Sequence, residues 1–379
     1  MPRRMTVPRS SADALVVGAG VVGLAIALEL RARGAEVVVL ERKGVAEGQS
    51  GIQPGGVRLQ WGTTVNCGLA MESLAWWRTA EERLESPVPL AWASCGYLFV
   101  AHTDEALARL RANVRVQNDA GVPSRVVSPA ETAALVEGLD PVSIVGGSYC
   151  PEDGYMGEPQ AAIAAMGRRV DVRIATVESI APTVGAWLLE TSAGRFSAPA
   201  LVIAAGADTR DLVAPLGVHL PIEREPRHLF LSAPIRERLL EPLVVSPERR
   251  FAAKQLHGGR VLASDLGATG TPEAGAAGWR RNVRAVIAEL LPVLAYIDLD
   301  VIVSGAYDVT PDRQPILGAV DGHDRLYVAA GFSGHGFMIA PAVGRIVAGA
   351  VVGDDDTVLA ILDSRRFQEG RTVPEPQVI

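Results

Sequence analysis

Cysteine is scarce in this chain: Cys67, Cys95 and Cys150 are the three among 379 residues. They are too widely spaced for a C-x-x-C pair and leave one thiol over in any disulfide scheme, so a disulfide scaffold is a poor fit and a reducing cytoplasm is the expected compartment. Positive charge is also in deficit, since 36 Lys and Arg face 43 Asp and Glu for a net charge of −7. A phosphate backbone has no basic footprint to bind, which sets nucleic acid aside. No stretch reaches the ~18 uncharged apolar residues that cross a bilayer. The nearest, Phe337 to Gly353, is interrupted by Pro341 and Arg345, so membrane insertion is not expected. The six histidines show neither H-x-x-x-H nor H-E-x-x-H spacing, and no Gly-x-Ser-x-Gly elbow ends a strand. Zinc and serine hydrolase readings therefore lack a basis, and no metal is expected. Repeats and low-complexity tracts are missing as well. The start, Met1-Pro2-Arg3-Arg4, resembles a charged signal region, but the first apolar run leads into glycines rather than a cleavage site, and residues 1–12 read as a frayed leader.

What is present is an ordinary globular composition, 48% apolar and 21% charged, in a chain long enough for two domains. Residues 14–40 read as strand, glycine turn, amphipathic helix and strand, a complete βαβ unit. A helix is expected from Val65 to Leu84, then a strand "GYLFVA", a helix from Asp104 to Asp119 and a short helix opened by Ser128-Pro129. From Gly154 the pattern is helical; "DVRIATVESI" and "AWLLET" read as strands, with a hairpin turn at Ala193-Gly194. The run "ALVIAAGA" resembles a central parallel strand. Several β runs and one helix from Ala277 to Leu291 fill residues 220–303, and the chain then returns to strand, glycine loop and helix.

Chemistry first shows at Gly18-x-Gly20-x-x-Gly23, between the first strand and helix, with Glu41 closing the next strand. Gly18 permits the tight turn, Gly20 lets a pyrophosphate approach the backbone, and Gly23 lets helix and strand pack closely. The phosphates then meet the positive end of the helix that Val21 and Val22 open, and Glu41 accepts from ribose hydroxyls. This fingerprint points to a dinucleotide but does not separate FAD from NAD.

The C-terminal third does help separate them. It carries "SGAYDVTPDRQPILGAV" and then "AAGFSGHGFMIAPAVGRIVAG", a second glycine loop opening a second helix. With the first fingerprint, "GGVRLQWGT" and "LVIAAGADTRDLV", these residues resemble the D-amino-acid oxidase-like flavoenzymes, in the branch of sarcosine oxidase, glycine oxidase and the proline and opine dehydrogenases. The resemblance runs from Ala14 to about Gly353. It implies an α/β plus α+β architecture: a doubly wound, Rossmann-like FAD domain of residues 13–85, 142–219 and 304–379, and an inserted antiparallel-sheet substrate domain of 86–141 and 220–303.

The resemblance also implies site residues. Gly334, His335, Gly336, Phe337 and Met338 would lie against the flavin, where a helix N-terminus stabilises negative charge on the reduced ring. Ser333 lies in the same loop and is not expected to be a nucleophile. His335 reads better as a packed loop histidine than as a general base. Arg42, Gln49 and Ser50 match positions near adenosine and pyrophosphate, Val177 an adenine contact or simply strand core, and Ala205-Gly206 the pair beneath the cofactor.

Three positions depart from the pattern. Gly305 stands where monomeric sarcosine oxidase links its flavin through cysteine, so FAD is expected to be non-covalent. Tyr307 replaces the carboxylate-clamping arginine of glycine oxidase, and Met338 replaces a lysine of sarcosine oxidase. Arg58 aligns with a substrate-carboxylate arginine, with a pyrophosphate contact or a surface ion pair as alternatives. Lys254 sits on an expected strand, where a buried ammonium would help oxygen react and an exposed one would merely be solvated; Arg249 and Arg250 beside it are expected to be exposed. Trp61, Tyr97 and Tyr307 either wall an apolar site or belong to the core.

The expected activity is therefore oxidation of the C–N bond of an amino acid, N-substituted amino acid or related amine by hydride transfer to FAD, giving an imine. Oxygen or an electron-accepting partner chain would take the electrons, in a homo- or hetero-oligomer. A non-catalytic flavin-binding protein is the remaining alternative.

Overall fold

A computed structural model describes residues 12–377, so the leader reading lies outside the described residues apart from Ala12. Strand β1 (Ala14–Val17) is buried along its whole length, as expected of a strand covered on both faces. Helix α1 (Val21–Ala32) and strand β2 (Val37–Glu41) complete the βαβ unit. The six-stranded sheet runs Ile316–Ala319, Leu326–Ala330, Ala200–Ile203, β1, β2, Asp171–Ile174, and only the first pair is antiparallel. Residues 200–203 do form a central parallel strand, between β1 and Leu326–Ala330. One face is covered by helices, the other by a three-stranded antiparallel sheet of Val177–Thr183, Ala186–Thr191 and Gly194–Ala198.

A second, eight-stranded sheet contains β3 (Glu223–Pro234) next to β4 (Val301–Val309) at its edge. It is antiparallel except where Leu243–Ser246 runs parallel to Tyr97–Ala101. Strand Gly146–Cys150 and all of β4 are hydrogen-bonded into this sheet, whereas the sequence reading put 142–150 and 304–309 with the nucleotide-binding segments. Helix α2 (Gly336–Val352) packs beside α1: a Cβ at Gly344 would lie 2.8 Å from the Ala25 backbone, so only glycine permits this approach. No single helix among the described residues is long and apolar enough to cross a membrane, and α2 is a core helix with most of its residues buried.

Several boundaries differ from expectation. The helix expected over 65–84 is Thr64–Arg78 followed by a separate turn, Ala80–Arg83. Thr79 separates them, its hydroxyl donating to the carbonyls of Ala75 and Trp76. Residues 154–156 form a strand, and the helix begins at Pro159, whose fixed φ and missing N–H suit a first turn. Pro272 likewise starts the helix expected from Ala277. "DVRIATVESI" divides into two strands that belong to different sheets.

The C-terminal segment is tied down by a buried ion pair. Arg366 and Asp312 are 0% and 1% exposed, with Nε and Nη2 reaching the two carboxylate oxygens at 2.8 and 3.0 Å. From there the chain passes Gln314, which donates to the Val373 carbonyl at 3.1 Å, and Glu375 donates its N–H to the Asp312 carbonyl at 3.0 Å. Replacing one partner of such a pair leaves an uncompensated buried charge. Asp312→Ala is expected to lower the unfolding free energy by about 3–5 kcal/mol; urea unfolding followed by circular dichroism checks this, and a loss under about 1 kcal/mol contradicts the anchor role.

Candidate active site

The first glycine turn is built by close approach. Gly18 has φ +109° and donates to the Leu40 carbonyl at 2.8 Å; a Cβ there would lie 2.4 Å from the Ala204 carbonyl oxygen. A Cβ at Gly23 would meet the Gly18 oxygen at 2.0 Å, so helix and strand touch backbone to backbone. Gly20 caps α1 without a side chain, and the Val21 N–H donates to Ser50 Oγ at 3.0 Å. The N–H groups of Val22 and Gly23 point out of the first turn with no helical acceptor. Glu41 is held beside them, accepting from the N–H groups of Ala19 (2.9 Å) and Lys43 (3.0 Å). Arg42 and Arg224 share one carboxylate, Asp208, at 2.7 and 2.5 Å, just after Ala205-Gly206. Val177 is half-buried at the start of its strand, two residues after Ala175 donates to the Glu41 carbonyl at 2.7 Å. Gln49 reaches across to β4, where its Oε1 accepts from the Ala306 N–H at 2.9 Å beside Gly305.

The second glycine loop lies alongside. Gly334 has φ +91°, and a Cβ there would collide with the Tyr307 ring at 2.4 Å. His335 caps α2 without a side-chain bond, and a Cβ at Gly336 would lie 3.7 Å from the Val22 side chain, so the positive ends of α1 and α2 are neighbours. Phe337 stacks on Trp77 at 4.4 Å while its carbonyl accepts from the Trp77 indole at 3.1 Å, which fixes the first turn. The His335 ring meets Trp61 edge-on at 4.4 Å, and its buried Nε2 has no partner. Burial, and then the charges of Arg58 and Arg313, push its pKa well below the ordinary histidine value, so the imidazole is neutral.

Arg58 is fully buried, its guanidinium 3.8 Å above Trp61. It donates to the main-chain carbonyls of Gln60 and Gln377, and its Nε has no partner. A surface ion pair is therefore ruled out for Arg58. Two buried carboxylates hold the segment that carries it. Asp153 accepts from the Leu59 N–H (2.6 Å) and Gln60 Nε2 (2.9 Å), with burial raising its pKa to about 7 against those donors. Glu375 accepts from Gly62 N–H (2.7 Å), Thr63 Oγ1 (2.8 Å) and Asn66 Nδ2 (2.8 Å). Neither acid carried a sequence signal, because their partners lie tens to hundreds of residues away.

Lys254 is 2% exposed, which removes the solvated reading. Its ammonium donates to the Pro54 carbonyl at 2.5 Å and sits 4.5 Å from the Tyr155 ring centre. Burial lowers its pKa to about 7. Tyr97 is buried with its hydroxyl against Gly56, and Trp61 is likewise core, 1% exposed beneath Arg58; Tyr307 is half-buried. Arg250 is exposed, as expected, whereas Arg249 is half-buried and pairs with Glu289 at 2.9 Å.

Comparison with known proteins fits this geometry. Residues 13–350 match the family described as "FAD dependent oxidoreductase". The chain belongs to that family. Glycine oxidase of Geobacillus kaustophilus is 27% identical over 89% of this chain and 92% of its own length. The 4-methylaminobutanoate oxidase (formaldehyde-forming) of Paenarthrobacter nicotinovorans is 25% identical over 93% of this chain, which spans 45% of that protein. The crystal structure of L-proline dehydrogenase from P. horikoshii superposes with a TM-score of 0.88 at 27% identity, covering 95% of this chain and 98% of that one.

Family membership makes the protein an FAD-dependent oxidoreductase. Its residues fit the group: two uncapped helix N-termini side by side, the Gly18 and Gly334 turns a Cβ would block, and the Glu41 carboxylate at the ribose position of the fingerprint. Among the described residues no cluster of three or more His, Cys, Asp or Glu suits a metal.

Two outcomes follow from these contacts. Glu41→Ala is expected to weaken FAD binding at least ~10-fold, the worth of one hydrogen bond to a charged group, measured by flavin fluorescence during titration of deflavinated protein. Unchanged affinity would remove Glu41 from the cofactor site. For Lys254, the unfolded chain holds a proton that the folded chain has released between pH about 7 and 10.5. Stability therefore rises with pH across that window, and Lys254→Met is expected to flatten the rise in urea-unfolding curves.

Proposed function

We propose that the protein oxidises the C–N bond of a small amino acid or N-substituted amino acid, bound as the neutral amine between the β3/β4 face and the start of α2. The observation that carries this reading is the α2 N-terminus itself. The loop at Gly334 and His335 opens a 17-residue helix that has no side-chain cap, with Gly334 against the Tyr307 ring of β4 and the helix start beside the N-terminus of α1. FAD supplies the two-electron acceptor when bound. The chain supplies positive potential where negative charge builds up, a site shielded from water, and orientation of the amine.

No side chain here is set up as a strong base. His335 is held neutral by burial and by neighbouring guanidinium groups, so it orients and packs rather than carrying a charge. An amine that enters without its extra proton needs no base to free its lone pair. The donor C–H would lose its electron pair as a hydride to the bound acceptor, the previously neutral nitrogen would take on the positive charge as an iminium, and water would then hydrolyse that to a carbonyl compound and a protonated amine, or ammonium from a primary amine. Lys254 is buried and able to carry a proton near neutral pH, which supports assigning it to favour charge developing on oxygen during reoxidation. Gly305 offers no thioether, and Cys67 and Cys150 are buried, which supports non-covalent FAD.

The test is an absorbance spectrum of purified protein before and after acid precipitation, then anaerobic addition of an amine and amino-acid panel. Yellow supernatant and bleaching by a carboxylate-bearing secondary or primary amine are expected; a loaded protein that no amine bleaches refutes the reading. Mixing the reduced protein with air then distinguishes acceptors. Fast reoxidation that Lys254→Met slows ~10-fold or more supports an oxidase, whereas reoxidation only by an artificial acceptor assigns it to a dehydrogenase.

A further inference from the structure

A cation for a carboxylate substrate is missing from Tyr307 and Met338, and Arg58 does not replace it. Arg58 is fully enclosed and stacked on Trp61, and both of its terminal nitrogens donate to main-chain carbonyls, one of them from the C-terminal segment. A bidentate carboxylate would have to displace that segment, which Glu375 fastens at three points on residues 62–66.

A different guanidinium, half-buried, lies on β3. In the β3/β4 ladder Glu225 stands opposite Tyr307, and Arg227 opposite Gly305. Directly opposed residues share a sheet face, as do residues two apart along a strand, so these four side-chain positions form one surface. That surface looks into the active site: a Cβ at Gly305 would touch Ile52 and Gln49, and the Tyr307 ring lies on Gly334. Arg227 sits with its guanidinium carbon 5.0 Å from the Tyr307 ring centre, and 16% of its side chain is exposed.

Its charge is not fully matched. Glu225 is shared between Arg227 (2.8 Å) and Arg313 (3.0 Å), two cations to one anion. Arg227 also donates to the Pro226 carbonyl at 3.0 Å, which offers no charge. The neighbouring residue Arg224 faces the other way and shares Asp208 with Arg42 in the same ratio, beside Ala205-Gly206.

We propose that Arg227, with Tyr307 beside it, holds the carboxylate of the substrate, and that Arg58 does not. This rests on the amine-oxidation reading above and names the anion subsite within it. The arginine of related oxidases on β4 has in effect moved one strand over, to β3, where Gly305 leaves the sheet face bare beside it.

The test separates anion binding from turnover. Holoenzyme is titrated with acetate, a non-reacting carboxylate, and the flavin absorbance change is followed. Saturable binding is expected, weakened at least ~10-fold by Arg227→Gln, as for loss of charge-assisted bonds. Arg227→Lys, which keeps the charge and loses the fork, is expected to fall between. The KM for the carboxylate-bearing substrate should rise with the acetate constant, while that for the matching amine lacking the carboxylate stays put. Acetate binding unchanged in both variants, or absent from a wild-type protein that amines do bleach, overturns the proposal. Should Arg227→Gln fail to fold by circular dichroism, Arg227→Lys decides it. Failure of every amine to bleach the flavin, with acetate still bound through Arg227, would instead sink the amine-oxidation reading and leave the anion site standing.

Discussion

Everything in this molecule is arranged around two helices whose N-termini open side by side. Gly344 lets α2 lie on Ala25 of α1, and a Cβ at Gly336 would lie 3.7 Å from the Val22 side chain. Their aligned dipoles put positive potential at the carboxyl edge of the parallel strands, where no side-chain cap neutralises it. Gly18 and Gly23 fix one helix against its strand, and Gly334 fits the other under Tyr307. A side chain at any of these glycines would separate elements that must touch. Anion binding is thus a consequence of backbone packing before any charged residue is considered.

A second constraint is the handling of buried charge. Arg366 and Asp312 compensate one another, and the segment they secure delivers Glu375 to residues 62–66 and the Gln377 carbonyl to Arg58. Asp153 holds the other side of the same segment through Leu59 and Gln60. Carboxylates that accept several N–H bonds can stay in a low-dielectric interior at tolerable cost, and they hold the loop in one geometry. The loop in turn supplies Trp61, the edge contact of His335. The surroundings of Arg58 and of His335 are therefore tied together through the C-terminal tail.

The edge of the eight-stranded sheet divides its charges by face. Alternation along β3 sends Arg224 to Asp208 and the nucleotide side, and Glu225 and Arg227 to Tyr307. A single strand next to a sheet edge presents different charges to its two sides in this way, because its side chains point to opposite faces at successive positions.

The sequence alone determined the local and periodic features: the βαβ unit with its glycine turn, the buried strand at 200–203, the second glycine loop opening a helix, and through them the family. These were readable because each depends on residues within about twenty positions and on glycines for which no other residue substitutes. Helix ends at Thr79, Pro159 and Pro272 were less legible, since competing hydroxyl bonds and proline geometry shift boundaries that hydrophobic periodicity leaves vague. Only the tertiary structure decided that Lys254 is buried, that the Arg58 head is taken by main-chain carbonyls, and that Arg227 shares a face with Tyr307. Those facts depend on strand register and on contacts between positions as far apart as 58 and 377, and the pattern of a linear chain carries no record of which distant carbonyl or carboxylate will arrive beside a given cation.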